Sequence, residues 1–425
     1  SPVALEAAAA LEAARGAATA VGEVATVPYA PADLVALARR GLRADVLRQV
    51  TLGRSVVEQR LGRVPSVNAL VPPKFSLDSR AAATLGPVGI AGALIEAGRL
   101  PEVRDSDVRP DLFGPSQPVL IRAADPYGAL IPDQPLLERL AATDQGVLLG
   151  QAVVAETASA WLELPVLAPE RVITIASHAL PSPTTLAAAL DGLSGAPWVQ
   201  LRTVGDAIGT LNKQTIPVSL RPGEAADRPY LREARRARRA LQTVTSIAVS
   251  PPDELERLNR LILVAESAEW DTAEKQGVAL AAAVEQRSRA ILRSVEVFSR
   301  PVTLTARTGK VPVTVINGNA FPVRVRVRLQ SPKVGFPQGA TRTVEVAAGD
   351  SSIDFTVEAR AAGSFPLTVR VETPDGDRLL ASGTLTLRST TVSAVALAAV
   401  GGSTLFLLAA WVRRGTRRRK RAAHG

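Results

Sequence analysis

The chain has 425 residues, a net charge of +10, and neither cysteine nor methionine. This length suffices for two to four domains. Because there is no cysteine, disulfide bonds and thiolate metal sites are excluded. Only two histidines are present, His178 and His424, so a histidine-rich metal site is excluded as well. We therefore expect no metal and no other cofactor.

Residues 1–224 alternate short apolar runs with helical stretches, which predicts a parallel (β/α)-barrel-like domain. Runs that are apolar throughout are typical of strands covered by helices on both faces. The predicted strands are the runs at 23–27, 68–71, 88–94, 119–122, 146–149 and 171–176. Because the chain opens on a predicted helix at 3–20 with no strand before it, we expect this domain to be incomplete at its N-terminus.

Residues 225–295 have helical periodicity and predict a helical bundle. The predicted helices are 228–244, 251–270 and 272–295. In the first of them, Arg232, Arg236 and Arg239 share one face, and we expect them to pair with neighbouring acidic residues.

Residues 296–390 change to a period of two and predict an immunoglobulin-like β-sandwich. The seven predicted strands are 302–305, 311–316, 323–329, 341–346, 352–357, 365–371 and 378–387. In the third, valines should face the core while Arg324, Arg326 and Arg328 face outward. That outward face is either a solvated strand face or a surface for an anionic ligand.

Residues 391–412 carry no charge, and a 22-residue helix spans the roughly 30 Å core of a bilayer. The seven basic residues that follow form the tail 413–425 with no acid among them: Arg413, Arg414, Arg417, Arg418, Arg419, Lys420 and Arg421. Because basic residues stay on the cytoplasmic side, we predict a single-pass plasma-membrane protein with the N-terminal bulk outside. The tail should bind anionic inner-leaflet lipids, and we expect no nucleic-acid partner.

Small residues recur four apart within the predicted span, at Ala394, Ala398 and Gly402. Such a stripe lets two membrane helices approach closely, so this face is a candidate for docking on a partner helix. The alternative is the general abundance of alanine in this chain.

Catalytic motifs are absent from the sequence: there is no G-x-S-x-G elbow, and only His178 could serve a serine triad. Glycoside hydrolysis needs two carboxylates at the mouth of a barrel. The weak candidates for a glycan site are Tyr29, Asp33, Glu96 and Asp125, which follow predicted strands. Each is also explained as a loop cap, a surface charge or a rim aromatic.

The chain resembles an actinobacterial family of single-pass extracytoplasmic proteins of unknown function, commonly encoded beside the MurJ/MviN-type lipid II flippase. The matching stretches are 27–37, 124–128, 171–175, 197–198, 319–332 and 383–389. This resemblance implies an extracytoplasmic location and a role in peptidoglycan synthesis beside a multi-pass partner, the flippase. The order barrel, bundle, sandwich also resembles some α-mannosidase-like glycosidases, but their metal-binding His and Asp residues have no counterpart here.

From these observations we predict a non-enzymatic accessory protein of the bacterial cell envelope that binds and stabilises or regulates a multi-pass membrane protein. The alternatives are a module that binds or cleaves cell-wall glycan at the barrel mouth, and a purely structural anchor.

Overall fold

A computed structural model gives the structure of the chain. It describes residues 23–62, 69–101, 118–123, 125–133, 146–163, 172–175, 183–209, 217–223, 227–389 and 402–411, together with Glu12, Arg15, Leu136 and Leu211. The chain divides into two compact units. The first comprises Ser1–Arg236 and Asn259–Ala282, and the second Ala237–Leu258 and Ala283–Gly425.

The first unit contains a four-stranded sheet in the order β1-β2-β4-β3. Its strands are β1 (Ala69–Leu70), β2 (Gly92–Leu94), β3 (Val119–Ile121) and β4 (Tyr127–Leu130). Strands β1, β2 and β4 are parallel, whereas β3 is antiparallel to β4. Single parallel bridges place Thr26 beside Leu70 and Thr174 beside Pro132, so the predicted runs at 23–27 and 171–176 extend the parallel arrangement.

Six α-helices accompany this sheet in the described residues up to 223. They are α1 (Leu34–Arg39), α2 (Arg43–Leu61), α3 (Ser79–Thr84), α4 (Gly146–Glu163), α5 (Pro183–Gly195) and α6 (Val204–Gly209). The core joins the strands to α1, whose residues Leu34 to Ala38 are all buried. One predicted strand is wrong, because the apolar run 146–149 begins α4. One strand, β4, was not predicted, and it follows the turn at Asp125.

Three helices follow, close to their predicted bounds: α7 (Pro229–Ile247), α8 (Asp253–Ala265) and α9 (Glu274–Arg293). Within the first unit, Ala234, Ala265 and Ala281 form a small buried cluster. The expected arginine pairing occurs in α7, where Arg232 pairs with Asp227, and Arg236 pairs with Glu233 at 2.5 Å.

Residues 295–389 form two sheets in the second unit, in the orders β10-β8-β12-β13-β6 and β5-β7-β11-β9. The strands are β5 (Val295–Phe298), β6 (Val302–Leu304), β7 (Thr308–Asn317), β8 (Val323–Gln330), β9 (Val334–Gly335), β10 (Thr341–Val346), β11 (Gly349–Ala359), β12 (Gly363–Glu372) and β13 (Leu379–Ser389). All seven predicted strands are present, and β5 and β9 are additional.

Burial alternates along β8 as its sequence predicts, because every second side chain of a strand points to the same face. Val323, Val325 and Val327 are buried, while Arg324 and Arg328 are exposed. Arg326 is half-buried and pairs with Glu372 at 3.3 Å.

None of the helices in the described part of the chain is long and apolar enough to cross a membrane. Of the predicted span 391–412, only 402–411 is described, and it is helical with exposed side chains. Ala394, Ala398 and the seven basic residues of the tail lie outside the described residues, as does nearly all of the predicted helix 3–20. The described architecture is that of a mixed α/β protein with several sheets and more than one domain.

Candidate functional site

The carboxyl edge of the parallel strands is a candidate active site, because active sites of α/β sheets are built at this edge. Short 3₁₀ turns follow β1 at Pro73–Phe75 and β2 at Ala97–Arg99. The backbone N–H of Glu96 donates to the Phe75 carbonyl at 2.9 Å, so the two loops are tied to one another.

Glu96 lies in this edge but its carboxylate is already engaged. Arg99 Nε donates to Glu96 Oε1 at 2.6 Å, and Arg99 Nη2 donates to Ser76 Oγ at 3.0 Å. The backbone N–H of Arg221 donates to the Arg99 carbonyl at 2.7 Å. The pairing therefore serves to hold three segments of the chain together.

The loop after β1 contains two consecutive non-glycine residues in the left-handed region, Lys74 with φ 55° and Phe75 with φ 52°. Each such conformation costs roughly 1–3 kcal/mol and persists only where the surroundings hold it. Phe75 is buried, and its carbonyl accepts a hydrogen bond from the Glu96 N–H. These two interactions stabilise the left-handed conformation. Lys74 is exposed at the same edge.

Asp33 has a structural role at the start of α1. Its Oδ1 accepts the Ala36 N–H at 3.0 Å, as an N-cap residue does, and its Oδ2 accepts from Arg228 Nη1 at 2.6 Å. Arg228 also pairs with Asp271 at 3.0 Å, and Tyr230 donates to Asp271 at 2.8 Å. Burial, and then the hydrogen bond to Asp271, raise the pKa of Tyr230, so this phenol stays neutral in the network.

Tyr29 and Asp125 do not join Glu96 in a common site. The Tyr29 backbone N–H donates to the Gln49 carbonyl at 2.7 Å and its side chain is half-buried. Asp125 is exposed in the turn between β3 and β4. Because β3 is antiparallel, its end lies at the amino end of β4, which is the edge opposite to Glu96.

A second feature of the first unit is the solvent face of α4, which the sequence reasoning missed. Five of its exposed residues recur at helical spacing and carry no charge; we call them the α4 stripe: Leu148, Gln151, Ala155, Ser159 and Leu162. Leu148 is 68% exposed and Leu162 is 65% exposed. A surface helix normally presents charged residues to solvent, so an uncharged solvent face with exposed leucines is a candidate interaction surface.

Close parallel packing of α4 against α5 positions the helix that carries the α4 stripe. An added Cβ on Gly150 would lie 2.5 Å from the Ala188 Cβ, and one on Gly192 would lie 2.5 Å from the Val154 side chain. Both glycines therefore allow contacts that a larger residue would prevent. The pairs 150 with 188 and 154 with 192 advance together along the sequence, so the two helices run in the same direction.

At the far end of this helix pair, Trp161 and Trp198 are stacked with ring centroids 6.2 Å apart. The Trp198 indole N–H donates to Thr157 Oγ1 at 3.4 Å. Leu186 and Leu190 of α5, one turn apart, are each almost half exposed. The signal available in the sequence was the scarcity of charge, since Glu156 and Glu163 are the only charged residues of α4.

Comparison with protein families gives one assignment. The model of DUF6049, described as a family of unknown function, matches residues 149–424. The chain belongs to this family. The DUF6049 match begins within α4 and covers the helices α5 to α9 and both sheets of the second unit. Comparison with curated proteins gave no match.

Three solved structures resemble the DUF6049 chain weakly. The α-amylase AmyC of Thermotoga maritima has a TM-score of 0.49 and 11% identity, covering 67% of this chain and 70% of the amylase. WR4, an MSP family member of C. elegans, has a TM-score of 0.18 and 9% identity over 23% of this chain and 98% of its own. PapD-like domain 7 of human CEP192 has a TM-score of 0.18 and 14% identity over 24% and 87%. These similarities do not indicate a shared activity.

Proposed function

We propose that this chain is a non-enzymatic, membrane-anchored accessory protein of the bacterial cell envelope that binds a multi-pass membrane partner through the α4 stripe. The observation that carries the proposal is the uncharged solvent face of α4. From Leu148 to Leu162 it extends about 21 Å, at 1.5 Å per residue. A face of this length, with a leucine at each end and no charge between them, is stabilised when an apolar partner surface covers it.

In this proposal, residues 391–412 anchor the chain in the membrane. Leu405, Phe406 and Leu407 lie in the described helix 402–411 and are each at least 67% exposed, which is unfavourable in water and favourable in a bilayer or against another helix. The basic tail then lies in the cytoplasm against anionic lipids, and residues 1–390 lie outside.

The partner we propose is the lipid II flippase of peptidoglycan synthesis, on the basis of the family resemblance in the sequence. We expect binding of the α4 stripe to stabilise the flippase. It regulates transport only if the contacts of the α4 stripe differ between the conformational states of the flippase.

The test of the α4 stripe is co-purification of the tagged full chain with a co-expressed flippase in detergent. Replacing Leu148 and Leu162 together by Glu should reduce recovery of the flippase at least about tenfold, because each charge would have to be desolvated in the interface. Leu261→Glu is the matched control, since Leu261 is a leucine of α8 that is 40% exposed. Equal recovery with both variants, while circular dichroism shows all three proteins folded, would refute this assignment of the surface.

The proposed span has its own test in the same assay. Ala398→Leu with Gly402→Leu should weaken recovery by preventing close approach of the helices. Unchanged recovery would restrict the interface to the region outside the membrane. The orientation is tested in spheroplasts, where added protease should digest the outer region while a C-terminal label stays protected.

A second candidate function is glycan binding or cleavage at the carboxyl edge. The left-handed residues Lys74 and Phe75 favour it, since strained backbone clusters at binding sites. Peptidoglycan and arabinogalactan fragments should then bind the full chain and lose affinity with Glu96→Gln. Release of product that disappears with Glu96→Gln would replace the non-enzymatic proposal by a glycosidase.

A further inference from the structure

The second unit contains a surface cavity of about 180 Å³ that is separate from both candidate sites. We call it the arginine pocket; its lining residues are Thr243, Arg289, Leu292, Arg293, Arg378, Leu379 and Leu380. Thr243 belongs to α7, the next three residues to α9, and the last two to the start of β13, which Arg378 directly precedes. The pocket therefore lies within one compact unit.

Three arginines are among the residues that line this pocket, and they are not equally engaged in ion pairs. Arg289 pairs with Glu285 at 2.6 Å. Within the part of the chain that the structure describes, Arg293 and Arg378 have no carboxylate within 4.0 Å. Among the described residues, two arginines without a paired carboxylate therefore line one cavity, and they give its lining an excess of positive charge.

The donors in the pocket suit a phosphate group. A guanidinium carries five N–H donors in a planar fork and binds phosphate or carboxylate with two parallel hydrogen bonds. Two or three such forks offer more donors than the two oxygens of one carboxylate can accept, whereas a phosphate monoester has three terminal oxygens. Thr243 lines the same cavity, and its hydroxyl donates to the Arg239 carbonyl at 3.0 Å, so its own oxygen can still accept a bond.

The volume of the pocket and its apolar side chains limit the size and the chemistry of the part of the ligand that is attached to the phosphate. Clefts for drug-sized ligands measure roughly 300–1,000 Å³, so this cavity holds a small group or one end of a larger molecule. Leu292, Leu379 and Leu380 give it an apolar wall beside the arginines. We propose that the arginine pocket binds a phosphate monoester whose alkyl or sugar body lies against these leucines.

A phosphate monoester comes either from a soluble metabolite or from a lipid such as phosphatidic acid. Strand β13 separates Leu379 in the pocket from Ser389, the last described residue before the proposed span, by about 33 Å at 3.3 Å per residue. A span that begins after Ser389 therefore does not by itself bring the pocket to the headgroups, and we expect the soluble source.

The test is isothermal titration calorimetry of the full chain in detergent at fixed ionic strength, because salt screens exposed charges. The probes are inorganic phosphate, hexyl phosphate, hexanoate, and mixed micelles containing phosphatidic acid. Hexyl phosphate should bind more tightly than inorganic phosphate and than hexanoate. Arg378→Gln and Arg293→Gln should each weaken its binding about tenfold.

Arg328→Gln is the matched control, because Arg328 is an exposed arginine of β8 in the same unit but outside the pocket. Binding that Arg378→Gln weakens and Arg328→Gln leaves intact supports the proposal, and the same pattern seen only with phosphatidic acid identifies a lipid source. No binding in any arm up to about 10 mM, hexanoate binding as tightly as hexyl phosphate, or equal losses with all three variants would overturn it.

Discussion

Replacing Gly150 with alanine tests the parallel α4–α5 packing that supports the α4 stripe. The added Cβ would lie 2.5 Å from the Ala188 Cβ, 2.8 Å from the Ala189 backbone N and 2.9 Å from the Ala188 carbonyl carbon. Two of these three atoms are backbone atoms, so rotation of a side chain cannot relieve the contact and α4 must move away from α5.

The expected magnitude is a balance of two effects. Overpacking costs about 1–3 kcal/mol, and contacts below 3.0 Å with backbone place this substitution in the upper half of that range. Alanine is more favourable than glycine inside a helix by about 1 kcal/mol. The net loss in the local free energy of opening is therefore about 1–2 kcal/mol.

Hydrogen exchange on the amides of α4 and α5 measures this quantity directly, because it reports local opening instead of global unfolding. Gly150→Ala should accelerate exchange in both helices by roughly 5–30-fold. Gly195→Ala, at the end of α5, is the matched control, since no atom lies within 4 Å of its added Cβ, and exchange should be unchanged or slower. Equal or slower exchange in Gly150→Ala would refute the close parallel packing.

Two further predictions concern the second unit. Asn317 is buried, and its Nδ2 donates to the carbonyls of Phe321 and Val346 at 2.9 and 3.1 Å. Asn317→Ala should therefore lower the free energy of unfolding, measured by urea denaturation, by about 1–3 kcal/mol. An unchanged midpoint of denaturation would contradict this prediction. Arg287 donates two hydrogen bonds to Glu254, and these bonds lower the pKa of the carboxyl below its ordinary 4.5. Because the folded state then holds the proton more weakly, the stabilisation is present above the ordinary pKa and is lost as the pH falls through the folded value. Glu254→Gln should therefore reduce stability at pH 7 and make no difference in strong acid, and a constant difference across that range would refute the pairing.

The strands of the second unit were predictable because each has one buried and one exposed face. In β8 the alternation of valine and arginine is the alternation of burial itself. Strand β5 was missed because it starts two residues after α9, with no glycine or proline between them to end the helical pattern. Strand β9 has two residues, which is too short to show any period.

The first unit was less predictable because its segments are short and buried on both sides. A run of four apolar residues suits a buried strand and a buried helix equally, and Gly146–Leu149 turned out to begin a helix. The edge of the sheet at which Asp125 lies depends on the direction of β3, and the local sequence does not encode the direction of a strand. Since β3 is antiparallel to β4, a residue that follows β3 lies at the amino end of the neighbouring parallel strands.

The carboxylates at the carboxyl edge and the leucines of the α4 stripe differ in whether other residues of the chain satisfy their interactions. Asp78 is buried, and it accepts hydrogen bonds from the Ala81 and Gly223 backbones at 2.9 and 3.2 Å and from Arg39 at 3.1 Å. Glu96 is likewise bound by its own chain. A general base needs a free lone pair within reach of a substrate. Both oxygens of Asp78 already accept hydrogen bonds, and one oxygen of Glu96 accepts from Arg99. The leucines of the α4 stripe have no such partners in the described structure, although burying them would be favourable. Among the described residues of the first unit, the exposed leucines of the α4 stripe are therefore the feature on which the proposal of a binding partner depends.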